Sequence, residues 1–461
     1  MQKKDYTIDM CNGPLLKKML IFTVPLMFSS VLQLLFNAAD IVVVGHFAGD
    51  NSLAAVGSNS ALIGLMTNLF VGLSIGSNVI TARYYGAKDN KKLFKTVHTS
   101  IMLSFASGIL LTIIGIIGAR KILIWMQTPD EVLELAVIYL RIYFLGMTGM
   151  MIYNFGSAIL RAVGDTKRPL YYLFLAGIIN IVLNLVLVII FNLDVAGVAI
   201  ATVISQCISA YLIIRCLRHE DGGIHLNIHK VKIDKEVFKE ILQIGLPAGF
   251  QGILFSLSNV IIQSSINSFG ATVMAGNSAA ANVEQFVYFA MNAFYQCAIS
   301  FTSQNVGAEK YDRINKILLR SQMCVIFVGL VFGNLVLYFG QALLHVYTSS
   351  EDVIQAGITR LGIVSRTYAL CGIMDVMVGM LRGIGYSILP MIVSLIGACG
   401  LRLVWLATIF QVERFHTVQV VYLSYPITWI ITIIAHVICF IWAMSKLNKS
   451  IIKKNEIELT A

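Results

Sequence analysis

The chain has 461 residues, 57% of them hydrophobic and only 13% charged, with a mean hydropathy of +0.79. Soluble domains carry about 25% charged residues, so the composition argues against a soluble enzyme. The formal net charge of +10 raises a nucleic-acid reading, which the placement of the basic residues then removes.

Apolar windows long enough to cross a membrane recur along almost the whole chain, and about 20 helical residues span the hydrocarbon core. Twelve spans are predicted, at roughly 15–44, 52–80, 93–119, 132–158, 168–192, 194–216, 238–267, 273–302, 316–346, 353–381, 386–410 and 418–445. Several exceed the bilayer thickness, which implies tilt or helix reaching into water. Helices are the expected spanning form because their backbone groups pair internally. No small-residue cleavage site precedes the first span, so no removable signal peptide is expected.

Lys and Arg cluster in alternate loops: Arg83, Lys88, Lys91, Lys92 and Lys95; then Arg161, Lys167 and Arg168; then the stretch from Arg215 to Lys239; then Lys310, Arg313, Lys316 and Arg320. The other loops hold little beyond Arg120, Lys121 and Arg414. This is the positive-inside pattern. It predicts a multi-pass protein of the bacterial inner (cell) membrane with both termini cytoplasmic, the lipid bilayer as its surroundings and no nucleic acid as partner. The eight Cys form no C-x-x-C pair, and neither a disulfide framework nor a zinc site is expected.

The two halves repeat. "RAVGDTKRP" (Arg161 to Pro169) and "RGIGYSILP" (Arg382 to Pro390) share R-x-x-G-x-x-x-x-P at an offset of 221. "YGAKDNKK" (Tyr85 to Lys92) and "VGAEKYDR" (Val306 to Arg313) share the same offset of 221, and Pro25 and Asn37 match Pro247 and Asn259 at 222. Six spans per half is an even number, so both halves enter the membrane in the same sense. The predicted fold class is therefore an all-α integral membrane protein. Its twelve transmembrane helices form two parallel six-helix repeats around a central cavity that opens alternately to each side. The expected organisation is an N-lobe at 1–216, a cytoplasmic linker at 217–236 able to carry an amphipathic helix, a C-lobe at 237–446 and a cytoplasmic tail at 447–461. The R-x-x-G and GA loops read first as tight-turn chemistry, with Gly for the turn and Pro for the next helix start.

Ionisable residues inside spans are functional candidates, because each costs about 2.5–3.5 kcal/mol at a helix centre. They are Asp40, Glu284, Asp375, Arg366 and Arg402, with His436 as a weaker case better read as packing. At about 1.5 Å per residue, Asp40, Asn180, Asn184 and Thr202 all fall in the outer half of the N-lobe. Asn180 and Asn184, spaced i and i+4, share a helix face. A carboxylate ringed by amide and hydroxyl oxygens can hold a proton or coordinate Na⁺. The competing reading is a buried acid that only helps helices pack. In the C-lobe, Glu284 and Arg402 both fall near mid-membrane, and a Glu284–Arg402 ion pair is expected. Asp375 sits deeper. Met66, Phe70, Phe286, Tyr288, Phe289 and Met291 suit soft contacts with amphipathic cations, or ordinary packing.

The pattern P-x11-N-x2-D-x4-G (Pro25 to Gly45), the GA after the second span, "QNVGA" (Gln304 to Ala308) and the paired R-x-x-G loops resemble the multidrug and toxic compound extrusion (MATE) family, in particular its bacterial branch related to the DNA-damage-inducible F proteins. The resemblance covers essentially all twelve spans. It implies two six-helix lobes, alternating access, no enzymatic activity, and antiport that exports small organic cations in exchange for H⁺ or Na⁺. No cofactor other than that coupling ion is implied. The first-helix Asp of similar proteins maps onto Asp40, which makes it the expected proton or Na⁺ site. An Asn–Asp pair in the fifth helix of some members maps onto Asn180 and Asn184, so the second carboxylate is replaced here by an amide. Ion coupling through Glu284 and Asp375 therefore stays open. Pro25 is the expected hinge, because proline removes a helix hydrogen bond. The alternative function is a lipid-linked oligosaccharide flippase of related architecture. Several cavity Arg or Lys would be expected there, and only Arg366 and Arg402 are available. The substrates and the oligomeric state are not encoded in any motif.

Overall fold

Each predicted span is one helix or a run of helical pieces in the computed structural model, which describes residues 6–460. The first five residues and Ala461, the outer ends of the expected N-lobe and tail, lie outside the described residues. In the first half the helices are α1 (Leu15–Phe47), α2 (Asp50–Gly86), α3 (Asn90–Trp125), α4 (Asp130–Leu145 and Met147–Ala162), α5 (Lys167–Ile190) and α6 (Asp194–Arg218). In the second half they are α7 (Lys235–Asn267), α8 (Ala271–Gly307), α9 (Asp312–Tyr338), α10 (Glu351–Thr367 and Ala369–Ile384), α11 (Ile388–Gln411) and α12 (Val418–Thr460). Among the described residues, nine single helices and the two bent pairs, α4 and α10, are long and apolar enough to cross a membrane. The remaining one, α8, has 37 residues, which is ample length at about 1.5 Å per residue, but it carries buried Asn277, Glu284, Gln304 and Asn305. Rows of large apolar side chains lie exposed, as at Ile434, Ile438 and Ile441 on one face of α12. A helix needs such a face only where its solvent is hydrocarbon.

The chain divides into two compact units. One holds the residues up to Asn12, Leu20–Phe250 and Gly307–Glu309; the other holds Gly13–Met19, Gln251–Val306 and the chain from Lys310 on. Each half of the sequence carries the same backbone irregularities at matching positions. Gly164 and Gly385, the glycines of the two R-x-x-G loops, have φ of +93° and +120°. Lys88 and Glu309, which follow the two GA motifs, have φ of +57° and +56°. Left-handed backbone at all four positions makes these motifs turn devices.

The fourth helix of each half bends, α4 by 46° and α10 by 44°. In α4 the break leaves the Phe144 carbonyl outside the helix ladder, and Thr112 of α3 donates to it at 2.7 Å. A Cβ on Gly108 would come within 2.3 Å of the Thr148 Cα, so glycine is what lets α3 seat against the bend. In the second half a Cβ on Gly329 would meet the Ala369 Cα at 2.7 Å, and one on Gly333 would meet the Ser365 carbonyl at 2.4 Å. The positions correspond one for one across the repeat. The bends are thus part of the duplicated scaffold, each with a close-packed small residue beneath it.

The linker departs from expectation. Residues 219–234 form no α-helix; they make two short 3₁₀ turns, Gly222–Ile224 and Ile228–Lys230. The Gly222–Gly223 pair favours a turn over a helix, and Ile224 and Leu226 bury themselves in a cluster with Leu93, Val97 and Leu217. The Asp234 carboxylate bonds Lys95 at 2.8 Å, and its backbone N–H donates to Thr99 at 3.0 Å. Arg168 pairs with both Asp165 and Glu220. The linker is docked rather than loose.

Candidate functional site

The polar residues expected to meet in the first unit do meet. Asp40 sits late in α1 and is partly exposed. The Asn184 side-chain amide, from α5, donates to the Asp40 carboxylate. The same Nδ2 lies 3.3 Å from the Asn180 Oδ1, one turn earlier. Asn180 Nδ2 lies 3.4 Å from the Thr202 hydroxyl on α6, which itself donates to the Val198 carbonyl at 3.0 Å. Three helices thus contribute to one chain of polar contacts. It forms because i,i+4 spacing stacks the two amides on one face of α5. Asn184 is fully buried, yet its Oδ1 accepts no hydrogen bond. A buried amide oxygen without a donor is uncommon. Beside a carboxylate and a hydroxyl it makes an oxygen-rich set of the kind hard cations take.

Pro25 is buried within α1, which runs unbroken from Leu15 to Phe47. Two serines after it, Ser29 and Ser30, donate back to the Pro25 and Leu26 carbonyls at 2.9 and 3.1 Å. Such back-bonding loosens a helix locally.

The expected Glu284–Arg402 pair is not formed. The partner of Glu284 is Arg360, in the first piece of α10. Its Nε and Nη2 donate to the Glu284 Oε2 at 3.1 and 2.7 Å, and its Nη1 donates to the Asn277 Oδ1 at 2.7 Å. Ser365, at the bend of α10, donates to the other Glu284 oxygen at 3.2 Å. Asn277 is held in turn by its own donation to Gln263 at 2.7 Å. All of Asn277, Glu284, Arg360 and Ser365 are buried. The physical reason is register. Asn277 and Glu284 are two turns apart on one face of α8, and one guanidinium fork spans both acceptors. That pair of acceptors was the signal in the sequence, and Arg360 already lay inside the predicted span 353–381.

Arg402 instead faces α12. Its guanidinium carbon lies 4.0 Å from the centre of the Tyr425 ring and 6.0 Å from that of Trp429. Its Nη2 donates to Thr428 at 3.1 Å. Asp375 lies on the second piece of α10, partly exposed, and makes no hydrogen bond or ion pair with another described residue. Glu284, Asp375 and Arg402 therefore make no direct hydrogen bond or ion pair with one another. Arg366 is exposed. His436 is fully buried and shares a 3.0 Å contact with Ser394, as a packing residue would. A second buried arginine that sequence reasoning placed only in a turn, Arg382, bonds Tyr295 and reaches the Gln251 Oε1 at 2.8 Å.

A cavity of about 490 Å³ lies beside the linker, lined by Tyr6, Tyr85, Asn90, Arg168 and Glu220 among others. Arg168 and Glu220 are paired with each other, so the cavity offers a ligand little free charge.

Comparison with known proteins agrees with this architecture. The family described as MatE matches twice, over residues 25–186 and 247–407, so the two matches open at Pro25 and Pro247. Among curated relatives, the probable multidrug resistance protein YoeA of Bacillus subtilis (strain 168) is 27% identical over 446 residues, 94% of this chain and 96% of that protein. The multidrug export protein MepA of Staphylococcus aureus (strain MSSA476) is 22% identical, covering 81% of this chain and 83% of that one. Among solved structures, an outward-facing multidrug resistance MATE family transporter of the MOP superfamily aligns with a TM-score of 0.88 at 22% identity, over 97% of this chain and 100% of that one. A MOP superfamily transporter from Pyrococcus furiosus aligns with a TM-score of 0.87 at 23% identity, over 97% and 99%. With the family matched in both halves and the fold matched end to end, the chain is a multi-pass membrane protein that belongs to the MatE family, a transporter and not an enzyme.

Proposed function

We propose that the protein exports small amphipathic, cationic organic compounds in exchange for H⁺ or Na⁺, with Asp40 as the coupling site. It does so from the bacterial cell membrane with both termini in the cytoplasm. The names of its relatives, multidrug resistance and multidrug export proteins, support the cargo class. The observation that carries the coupling reading is the Asp40–Asn184 contact beside the unpartnered Asn184 oxygen.

The contact also supplies a mechanism. A hydrogen bond to an ionised acceptor is roughly twice as strong as a neutral one. When Asp40 takes up a proton, or shares its charge with Na⁺, its hold on Asn184 weakens and α1 is released from α5. Pro25, with the serine back-bonds after it, is where α1 then yields. Cargo and ion are coupled because each biases the same two-state element. The flippase alternative loses ground, since Arg360 is committed to Glu284 and, among the described residues of the second unit, only Arg382 and Arg402 are buried guanidinium groups without a carboxylate partner.

The test is ethidium transport in proteoliposomes under imposed pH and Na⁺ gradients, for wild type and Asp40→Asn. Transport that follows one gradient and vanishes in the variant is expected. Gradient-driven transport that survives in the variant moves the ion site away from Asp40.

A further inference from the structure

The repeat sets α3 and α9 in register. At the offset of 221, Lys92, Lys95 and Thr99 correspond to Arg313, Lys316 and Arg320. In the first unit this face of α3 is covered. The Asp234 carboxylate bonds Lys95 at 2.8 Å, and the Asp234 N–H donates to the Thr99 hydroxyl at 3.0 Å. Glu236 lies 3.5 Å from Lys92. One acidic segment thus sits on positions i and i+4 of the helix.

Among the described residues of the second unit, no acidic segment takes that place. Arg313 is engaged by the Gly13 carbonyl, to which its Nη2 donates at 3.2 Å. Lys316 has only Asp312 at 3.9 Å, with both side chains exposed, and such a contact is worth little. Arg320 is exposed and pairs with no carboxylate; its one polar contact runs from Nη1 to the Met323 sulfur at 3.8 Å. The segment after the last helix cannot stand in for the linker. There α12 continues as helix to Thr460, and the stretch is itself basic, with Lys446, Lys449, Lys453 and Lys454 against Glu456 and Glu458.

The neighbouring surface says what the occupant is. Leu319, Met323 and Phe327 are all exposed, and they continue the face that begins with Lys316 and Arg320. A long cationic side chain at the edge of an apolar surface ordinarily turns its head to water. Arg320 instead reaches one turn onward, to the apolar side. A soluble acid would satisfy the charges and leave the stripe bare. An anionic phospholipid fits both parts, with phosphate at the cations and hydrocarbon along the stripe.

We propose that Lys316 and Arg320 seat the phosphate of one anionic phospholipid, whose chain lies along Leu319, Met323 and Phe327. The lipid then does for the second unit what Asp234 does for the first.

The experiment is native mass spectrometry of the full-length protein in detergent, with phosphatidylglycerol and phosphatidylcholine of the same chains as probes. Wild type is expected to retain one phosphatidylglycerol about tenfold more tightly, in line with charge-assisted contacts to the phosphate. The double variant Lys316→Gln with Arg320→Gln is expected to lose that preference. Lys91→Gln with Arg215→Gln removes the same charge elsewhere and is expected to keep it. Phosphatidylglycerol carrying a diazirine in its chain is expected to label residues 319–331 of wild type. Equal retention of the two lipids overturns the proposal, as does an equal loss in both double variants or labelling confined to other helices. Displacement of the lipid by millimolar inorganic phosphate assigns the site to free anions and overturns the lipid role. A dimer in the same spectrum that the Lys316 and Arg320 substitutions dissolve assigns the face to a second copy, with the same consequence. No readout needs an ion gradient, so the outcome is independent of the transport reading.

Discussion

Asn184 donates to the Asp40 carboxylate, while its own carbonyl oxygen, fully buried, accepts from no side chain or backbone group. The amide is thus half used, its donor engaged and its buried acceptor idle. Asn184→Ala removes both halves. The concentration of driving ion needed for half-maximal transport is expected to rise about tenfold, the size of one lost hydrogen bond to a charged group. Transport rate against ion concentration in proteoliposomes measures it, and an unchanged half-point assigns Asn184 to packing alone.

The Glu284–Arg360 pair leads to a stability prediction instead. Arg360→Met leaves Glu284 buried with only Ser365 to bond. Breaking one side of a buried pair costs about 3–5 kcal/mol. For a unit of this size that is on the order of 10 °C in unfolding midpoint. The double replacement Arg360→Met with Glu284→Leu is expected to recover most of the loss, because no unpaired charge remains. Thermal unfolding in detergent distinguishes this from a transport role, in which the double variant would regain stability but not activity.

The R-x-x-G turn can be tested by a methyl group. At Gly164 the backbone has φ +93°, and a Cβ would lie 2.5 Å from the Ile8 backbone nitrogen. Gly164→Ala is expected to destabilise by at least the ~1–2 kcal/mol of left-handed strain, and further through the clash. Gly57, inside α2 with open space around it, is the control: Gly57→Ala is expected to stabilise by about 0.5–1 kcal/mol. Midpoints that move in the same direction for both would contradict the turn assignment.

Docking of the linker carries a pH signature. The Lys95 ammonium beside Asp234 holds its carboxyl below the ordinary value of 3.8. A depressed carboxyl stabilises the folded form above its unfolded value, and that contribution is lost as the pH falls through the folded one. The contact is therefore complete at neutral pH and fails only below about pH 4. Pepsin cleavage within residues 219–234, followed from pH 5 to pH 2, is expected to begin only at the acid end for wild type. Asp234→Asn is expected to be cut already at pH 5.

Much of this was legible in the sequence, for identifiable reasons. Hydropathy located the helices because a lipid-facing helix must present an apolar surface, even where buried polar residues interrupt it, as in α8. The meeting of Asp40, Asn180, Asn184 and Thr202 followed from helical periodicity and a fixed rise, which act within one element at a time. The partner of Glu284 was missed because depth along the helices was matched one residue at a time, whereas the pairing follows from Asn277 and Glu284 sharing one face of α8, where a single guanidinium reaches both. The bend of α10 has no proline in residues 361–368, only Gly362 and Ser365 to hint at it. The linker was misread for a different reason: its apolar residues are taken up by α3 and α6, a tertiary demand that overrides local pattern.

The matched bends of α4 and α10, with the same close-packed positions beneath them, have an evolutionary consequence. What the two halves share is conformation, and what they no longer share is chemistry. Where one copy sets an acid among amides, the other sets arginines among aromatic rings. A doubled six-helix skeleton can thus hold its backbone geometry in both copies while each copy fills the same frame with different side chains.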